Sequence, residues 1–355
     1  MGVWVCGRKA ECAHTPTLPH ADPFLDPRDM DDIAKTLSDL VSIPSVNPSG
    51  QPPTAPGHGE GGVARYVEDF LRRIGADCRR QPVLPSRANV IGFVSGRGAD
   101  TLVLEAHMDT VPGENMEIEP FKPVVKDGRL YGRGACDTKA SLTAMLTALR
   151  NVLRRGKPAC SVVFAATVDE EHKFTGVKEL LESGMRATFG VVGEPTNLDV
   201  VIAHKGVVRW EIRTRGKTAH SSRPNEGVNA IYRMARLISA VERYAAGGIS
   251  RLHPLVGGAT LSVGTILGGQ AINVVPDSCS IQLDRRTLPG EDPFEAKKAV
   301  GQFLRSCPEI NFEFEECEPF LVDWAMEVKP DEPIVQRLTA ACQRVLGQAK
   351  SVGVS

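Results

Sequence analysis

Apolar residues first recur at helical spacing along the chain and then gather into short unbroken runs. Ile33, Leu37, Leu40 and Val41 share one face of a helix expected over 30–41. Pro44 and Pro48 force a loop through SIPSVNPSGQPPTAPGHGEGG. Val63, Val67, Phe70, Leu71 and Ile74 define a second helix, which Gly75 ends. Three strand-like runs follow: TLVLEAHMD, SVVFAATVDEE (161–171) and FGVVGEP (189–195). Helical stretches at 141–153 and 177–182 separate them. Strands alternating with helices predict a largely parallel sheet covered on both faces. Ligands of such sheets bind outside the carboxyl ends of the strands. His107, Asp109, Glu170, Glu171 and Glu194 all fall there.

The pattern changes after AHKG (203–206). VVRWEIRTRG reads as a strand, and Val228, Ile231, Ala235 and Ile238 mark one face of a helix. The strands GATLSVGTILGG and DSCSIQLDRRTL follow, then a helix opened by Asp292 and Pro293, then the strand EINFEFEE. This β-α-β-β-α-β order is ferredoxin-like. It predicts a second domain at 206–315 inserted into a sheet domain of 27–205 and 316–355. Residues 1–26, with Pro16, Pro19 and Pro23, read as a disordered leader.

At 355 residues the chain is long enough for two cores. Its 42% hydrophobic and 24% charged residues are those of a soluble globular protein. A net charge of −1 gives no reason to expect nucleic acid or an anionic membrane as partner. The sequence contains no apolar run long enough to span a bilayer. The apolar stretch Val3-Trp4-Val5-Cys6 is too short for a secretory signal. Nine cysteines without a CxxC pair argue against both a disulfide framework and a thiolate zinc site, and favour a cytoplasmic location.

The ends of the strands carry the chemistry. His107 and Asp109 point to one side of their strand, so the imidazole can bind a metal while the carboxylate orients it. Asp137, in YGRGACDTKAS, is either a ligand or the N-cap of the following helix. Glu170 and Glu171 are either a solvated acidic pair or a ligand beside a general base. Oxygen and imidazole donors without cysteine suit zinc, cobalt or manganese. Two such ions sharing a carboxylate would activate a water for amide or ester hydrolysis.

HMDTVPG, YGRGACDTKAS, ATVDEE, GEPT, GKTAHSSRP and DRRTLPG, in this order, resemble the M20 family of metallopeptidases and amidohydrolases. The similarity spans about 30–340 and is strongest to the acetylornithine deacetylase and succinyl-diaminopimelate desuccinylase branch. The resemblance implies an α/β fold: a metal-binding mixed sheet flanked by helices, with the insertion as a ferredoxin-like α+β lid and dimerisation domain. It gives His107 and Glu194 to one divalent ion, Glu171 to a second, and Asp137 to both. Asp109 would orient His107, and Glu170 would be the general base. His220, otherwise an exposed loop histidine, would reach the partner subunit's site in a homodimer and steady the oxyanion. Arg286 and Asn273 would grip the substrate's carboxylate; Arg286 rather than Arg285 fits the family's Asp-x-Arg pattern, with Asp284 placed to hold it. The ions would be zinc, with cobalt or manganese as alternatives.

The family's second metal also takes a histidine near the C-terminus, whereas the last histidine here is His253. The sequence therefore reads as truncated, with an incomplete second site, one tightly held metal and little turnover. Three functions compete. The first is hydrolysis of N-acyl amino acids. The second is a small-peptide carboxypeptidase or dipeptidase activity. The third is a non-catalytic fragment keeping one metal. A nucleotide-binding role is disfavoured, because GRGAC lacks the full GxGxxG spacing.

Overall fold

The computed structural model describes residues 27–355 except Thr54, Gly248 and Ser355. The expected leader at 1–26 lies outside the described residues. Contacts divide the chain into two units, the first running to Val200 and taking in Pro330–Ser351, the second Val201–Lys329 with Val352–Ser355. The bounds 206–315 read from the sequence sit within the second unit. No helix among the described residues is long and apolar enough to cross a membrane.

The first unit opens with α1 (Pro27–Ser42) and α2 (Gly61–Arg73). Next come β1 (Asp77–Leu84), β2 (Arg87–Val94), β3 (Thr101–His107) and a short hairpin of β4 (Val124–Lys126) and β5 (Arg129–Tyr131). It continues through α3 (Lys139–Arg154), β6 (Ser161–Thr167), α4 (Thr175–Glu182) and β7 (Phe189–Val192). The main sheet has the order β1-β2-β6-β3-β7. β3 runs parallel to both β6 and β7, whereas β2 runs antiparallel to β1 and β6. The sheet is thus mixed, and the largely parallel expectation holds only for the three strands that end at the site. The β1–β2 hairpin is an addition that the apolar pattern did not announce.

β6 is apolar from Val162 to Ala166, and both its faces are covered. Val162, Phe164 and Ala166 pack with Leu40, Val67, Leu71, Leu142 and Leu146 from the helices on one side. Val163 and Ala165 pack with Ile91, Val103 and Leu180 on the other. Burying a side chain the size of Phe164 or Leu146 contributes about 1.5–3 kcal/mol each.

The second unit holds β8 (Val200–His204), β9 (Gly206–Arg215), α5 (Ala230–Gly247), β10 (Leu252–His253), β11 (Gly257–Gly258), β12 (Thr260–Gly268) and β13 (Ser278–Thr287). It ends with α6 (Pro293–Ser306), β14 (Phe314–Glu316), β15 (Leu321–Asp323) and β16 (Met326–Glu327). Its main sheet runs β12-β13-β9-β14, antiparallel throughout, with β15 also pairing β9. Asp292 caps α6, its carboxylate accepting from the amides of Phe294 and Glu295. The buried face of α5 is Ala230, Met234, Leu237, Ala240 and Val241. Ala235, assigned to that face from the sequence, is exposed. The chain then forms α7 (Pro333–Leu346) and β17 (Ser351–Val354), the latter in a small sheet of order β16-β8-β17.

Candidate metal centre

Six of the nine residues singled out from the sequence lie in the first unit, five of them at the carboxyl ends of its three parallel strands. His107 closes β3, Glu170 and Glu171 follow β6, and Glu194 follows β7. Asp137 stands just before α3, whose N-cap is Thr138. Asp137 is therefore not the helix cap. A cis peptide joins Asp137 to Thr138. The Thr138 hydroxyl donates to the Gly193 carbonyl at 2.7 Å, tying this turn to the loop that carries Glu194. Gly193 must lack a side chain, since a Cβ there would come within 2.5 Å of Ser141.

The carboxylates gather round one imidazole. His107 Nε2 lies 3.1 Å from Asp137, 3.7 Å from Glu194 and 3.8 Å from Glu170. Two overlapping sets can hold a cation: His107 with Asp137 and Glu194, and His107 with Glu170 and Glu171. On the other side of the ring, Nδ1 meets the Asp109 backbone carbonyl at 2.9 Å and its carboxylate only at 3.5 Å. Asp109 thus orients the ring chiefly through its main chain. Its carboxylate instead accepts from Asn47 Nδ2 at 2.7 Å and from the amides of Glu170 and Glu171 at 3.2 and 3.0 Å.

Electrostatics set these groups apart. Burial, with the charges of Glu171, Asp109 and Asp137, pushes Glu170 up to about 8. Burial and Asp137 push Glu171 to about 7, and burial with Glu170 and Asp137 pushes Glu194 to about 9. Asp109 falls to about 2, because hydrogen bonds and the His107 charge outweigh its burial. The His107 ring, which burial alone would make less basic, rises well above its usual value through Asp109, Asp137 and Glu194. Among the described residues no lysine or arginine forms an ion pair with Asp137, Glu170, Glu171 or Glu194. Part-buried glutamates facing the exposed Asp137 and one another without a cationic partner fit a divalent cation, and the oxygen and imidazole donors suit zinc, cobalt or manganese.

The remaining three residues lie in the second unit. His220 is exposed, its Nδ1 2.8 Å from the Ser222 hydroxyl. Val274 is the partner of His220 across an isolated bridge, and the backbone carbonyl of Asn273 next to it accepts from the Ser221 amide at 3.0 Å. Arg286 donates through Nε to Asp284 at 2.8 Å, and Arg209 donates to the same carboxylate at 2.7 Å. Arg285 points the other way and is buried against Glu291. The alternation along β13 thus leaves Arg286 as the accessible guanidinium of the doublet.

Sequence reasoning missed Asn47, Glu60, Arg87 and Asp169, all buried polar residues near the acidic pair. It also missed Lys139, fully buried and driven by burial to about 7, whose amine donates to the Ile43 carbonyl at 2.7 Å. Lys139 could have been found from its place in YGRGACDTKAS and Asp169 from ATVDEE; Asn47, Glu60 and Arg87 carry no local signal.

The family model of peptidase family M20/M25/M40 matches residues 103–355. The chain belongs to that family and is an amide-bond hydrolase. It is 34% identical over 296 residues to an acetylornithine deacetylase of Myxococcus xanthus, covering 80% of this chain and 75% of that protein. Its fold is shared with a tripeptidase of Staphylococcus aureus, at a TM-score of 0.72 and 23% identity, over 92% of this chain and 85% of the other. An M20 family metallo-carboxypeptidase of Sulfolobus solfataricus superposes with a TM-score of 0.73 and 18% identity, over 92% and 86% of the two chains.

Proposed function

We propose that this chain is a metal-dependent deacylase of N-acyl amino acids, similar in activity to acetylornithine deacetylase. The observation that carries the reading is the convergence of three acids within 3.1–3.8 Å of one buried imidazole nitrogen. The 34% identity to an acetylornithine deacetylase supports the substrate class. His107, Asp137 and Glu194 would hold one divalent ion, and Glu171 with the shared Asp137 a second, zinc being the best match to these donors. Bound there, the ions would supply Lewis acidity that activates water and polarises the amide carbonyl.

Glu170 is the group that takes the proton from the attacking water and passes it to the departing amine. Arg286 offers a fork to the substrate's carboxylate, and by family resemblance Asn273 shares that role. By family resemblance the second unit serves as lid and dimerisation domain, and His220 steadies the oxyanion in the partner subunit of a homodimer. The reading includes a cytoplasmic enzyme with small-molecule substrates.

The test is a panel of N-acetyl amino acids, N-succinyl amino acids and dipeptides, assayed with the zinc-loaded protein. Fastest turnover of an N-acetyl amino acid is expected, at a low absolute rate because Asp137 and Glu171 alone are offered to the second ion. Preference for dipeptides would replace the deacylase reading with a peptidase one. No hydrolysis of any member by fully loaded protein would overturn the activity.

A further inference from the structure

Glu170 and Glu171 are consecutive, yet both side chains belong to ligand sets around His107 while both amides face Asp109. An extended chain sends neighbouring side chains to opposite sides, so the backbone must turn just before the pair. It does so at Asp169, whose φ of +66° lies in the left-handed region. A non-glycine residue there is uncommon, and asparagine and aspartate tolerate it best.

Asp169 is held from every side. Its carboxylate accepts from Arg87 at 3.1 Å, Asn47 at 3.2 Å and the Thr175 hydroxyl at 2.7 Å. Its amide donates to Glu60 at 3.1 Å, and its carbonyl accepts from the Phe174 amide at 2.8 Å. Arg87 in turn grips Glu60 through two bonds of 2.8 and 2.5 Å. Asn47 closes the circuit by donating to both Asp169 and Asp109. Asn47, Glu60, Arg87, Asp109 and Asp169 are each no more than 5% exposed.

A buried ionic network of this kind is weak evidence for stability, because desolvation offsets most of its attraction. What it fixes is geometry. We propose that Asp169, locked by Arg87, Glu60 and Asn47, is a positioning residue that sets the Glu170–Glu171 turn and thereby the ligand and base geometry of the metal centre. This inference rests on the roles given above to Glu170 and Glu171.

Asp169→Ala, Asp169→Asn and Asn47→Ala are compared with the parent chain by circular dichroism, zinc calorimetry, cobalt(II) absorption and steady-state kinetics. Folded Asp169→Ala should bind zinc on the order of 10–100-fold more weakly, with an altered cobalt spectrum. Its kcat should fall in the same range while KM moves little. Asp169→Asn keeps the left-handed tolerance and one acceptor oxygen, and should recover most of both losses. A folded Asp169→Ala with the parent's zinc affinity and cobalt spectrum overturns the proposal. If Asp169→Ala does not fold, Asn47→Ala decides: about tenfold weaker zinc binding supports it, and unchanged binding overturns it. A parent chain that hydrolyses nothing in the substrate panel fails the functional reading alone, since the zinc and cobalt measurements still judge the positioning role.

Discussion

The first unit gathers negative charge and the second gathers positive charge, and the two collections are built differently. Around His107 four acids crowd together, three with pKa values raised to about 7, 8 and 9 and none paired with a lysine or arginine among the described residues. Around Asp284 the excess is reversed. Arg209 and Arg286 share one carboxylate, and burial together with the Arg286 charge lowers the pKa of Lys205. The first cluster sets three part-buried glutamates and the exposed Asp137 round a buried imidazole with no cationic partner among the described residues, which suits a metal. The second is part-exposed and sets two guanidiniums against the one carboxylate of Asp284, which suits a substrate carboxylate. The balance of charge, taken for each unit by itself, is thus what supports the opposite ligands proposed for the two clusters.

The comparison is broken most severely at Glu170. Glu170→Gln should keep its metal while losing on the order of 10²–10⁴-fold in kcat. Elemental analysis alongside steady-state kinetics checks this, and lost metal with Glu171→Gln harmless to binding would mean the two glutamates have exchanged roles. Next in size is the cationic cluster. A charged hydrogen bond of about 1.5–3 kcal/mol predicts that Arg286→Ala raises KM for an acyl amino acid by roughly 10–100-fold. Arg286→Lys should recover only part, since an ammonium lacks the fork. Equal KM values for a substrate and its carboxamide analogue would remove the carboxylate-binding role.

A third prediction concerns protons. In the metal-free chain Glu170, Glu171, Glu194 and His107 all bind protons more tightly than when unfolded. Their contribution to stability is full below the unfolded carboxylate range near 4.3 and is lost as pH rises through about 7 to 9. Asp109, lowered to about 2, acts oppositely, and its contribution is lost only in strong acid. The urea midpoint of chelated protein should therefore fall from pH 5 to pH 9, and zinc should flatten that fall. A midpoint rising over this range without metal would contradict the assignment. The smallest expected signal is complementation. Mixing inactive Glu170→Gln and His220→Ala chains should restore partial turnover through hybrid dimers; none after proven subunit exchange would confine His220 to its own chain.

What the sequence could and could not disclose follows from how each feature is encoded. His107, the glutamate pair and Glu194 stand directly after apolar runs, so periodicity alone brought them to one sheet edge. β1 stayed hidden because DCRRQPVL has an exposed, mostly polar pattern with Pro82 inside it, which reads as a loop. Asn47, Glu60 and Arg87 stayed hidden for another reason. Their partners at Asp109 and Asp169 lie 62 to 122 positions away, or 82 to 109 for Arg87 and Glu60 to Asp169, separations that no local pattern records. The face of α5 was misjudged because Ala235 is small and apolar wherever it points; Met234 and Leu237 set the true face.

β6 has β2 on one side, β3 on the other and an apolar layer against each face. A strand so enclosed opens only when the whole unit opens, so its amides should be among the last to exchange with deuterated solvent. Glu170 and Glu171 hang from the end of that strand, three and four residues beyond Thr167. The two glutamates proposed as base and ligand are therefore anchored to a part of the first unit expected to exchange slowly, and motions that admit substrate or release product must be sought in segments that exchange fast.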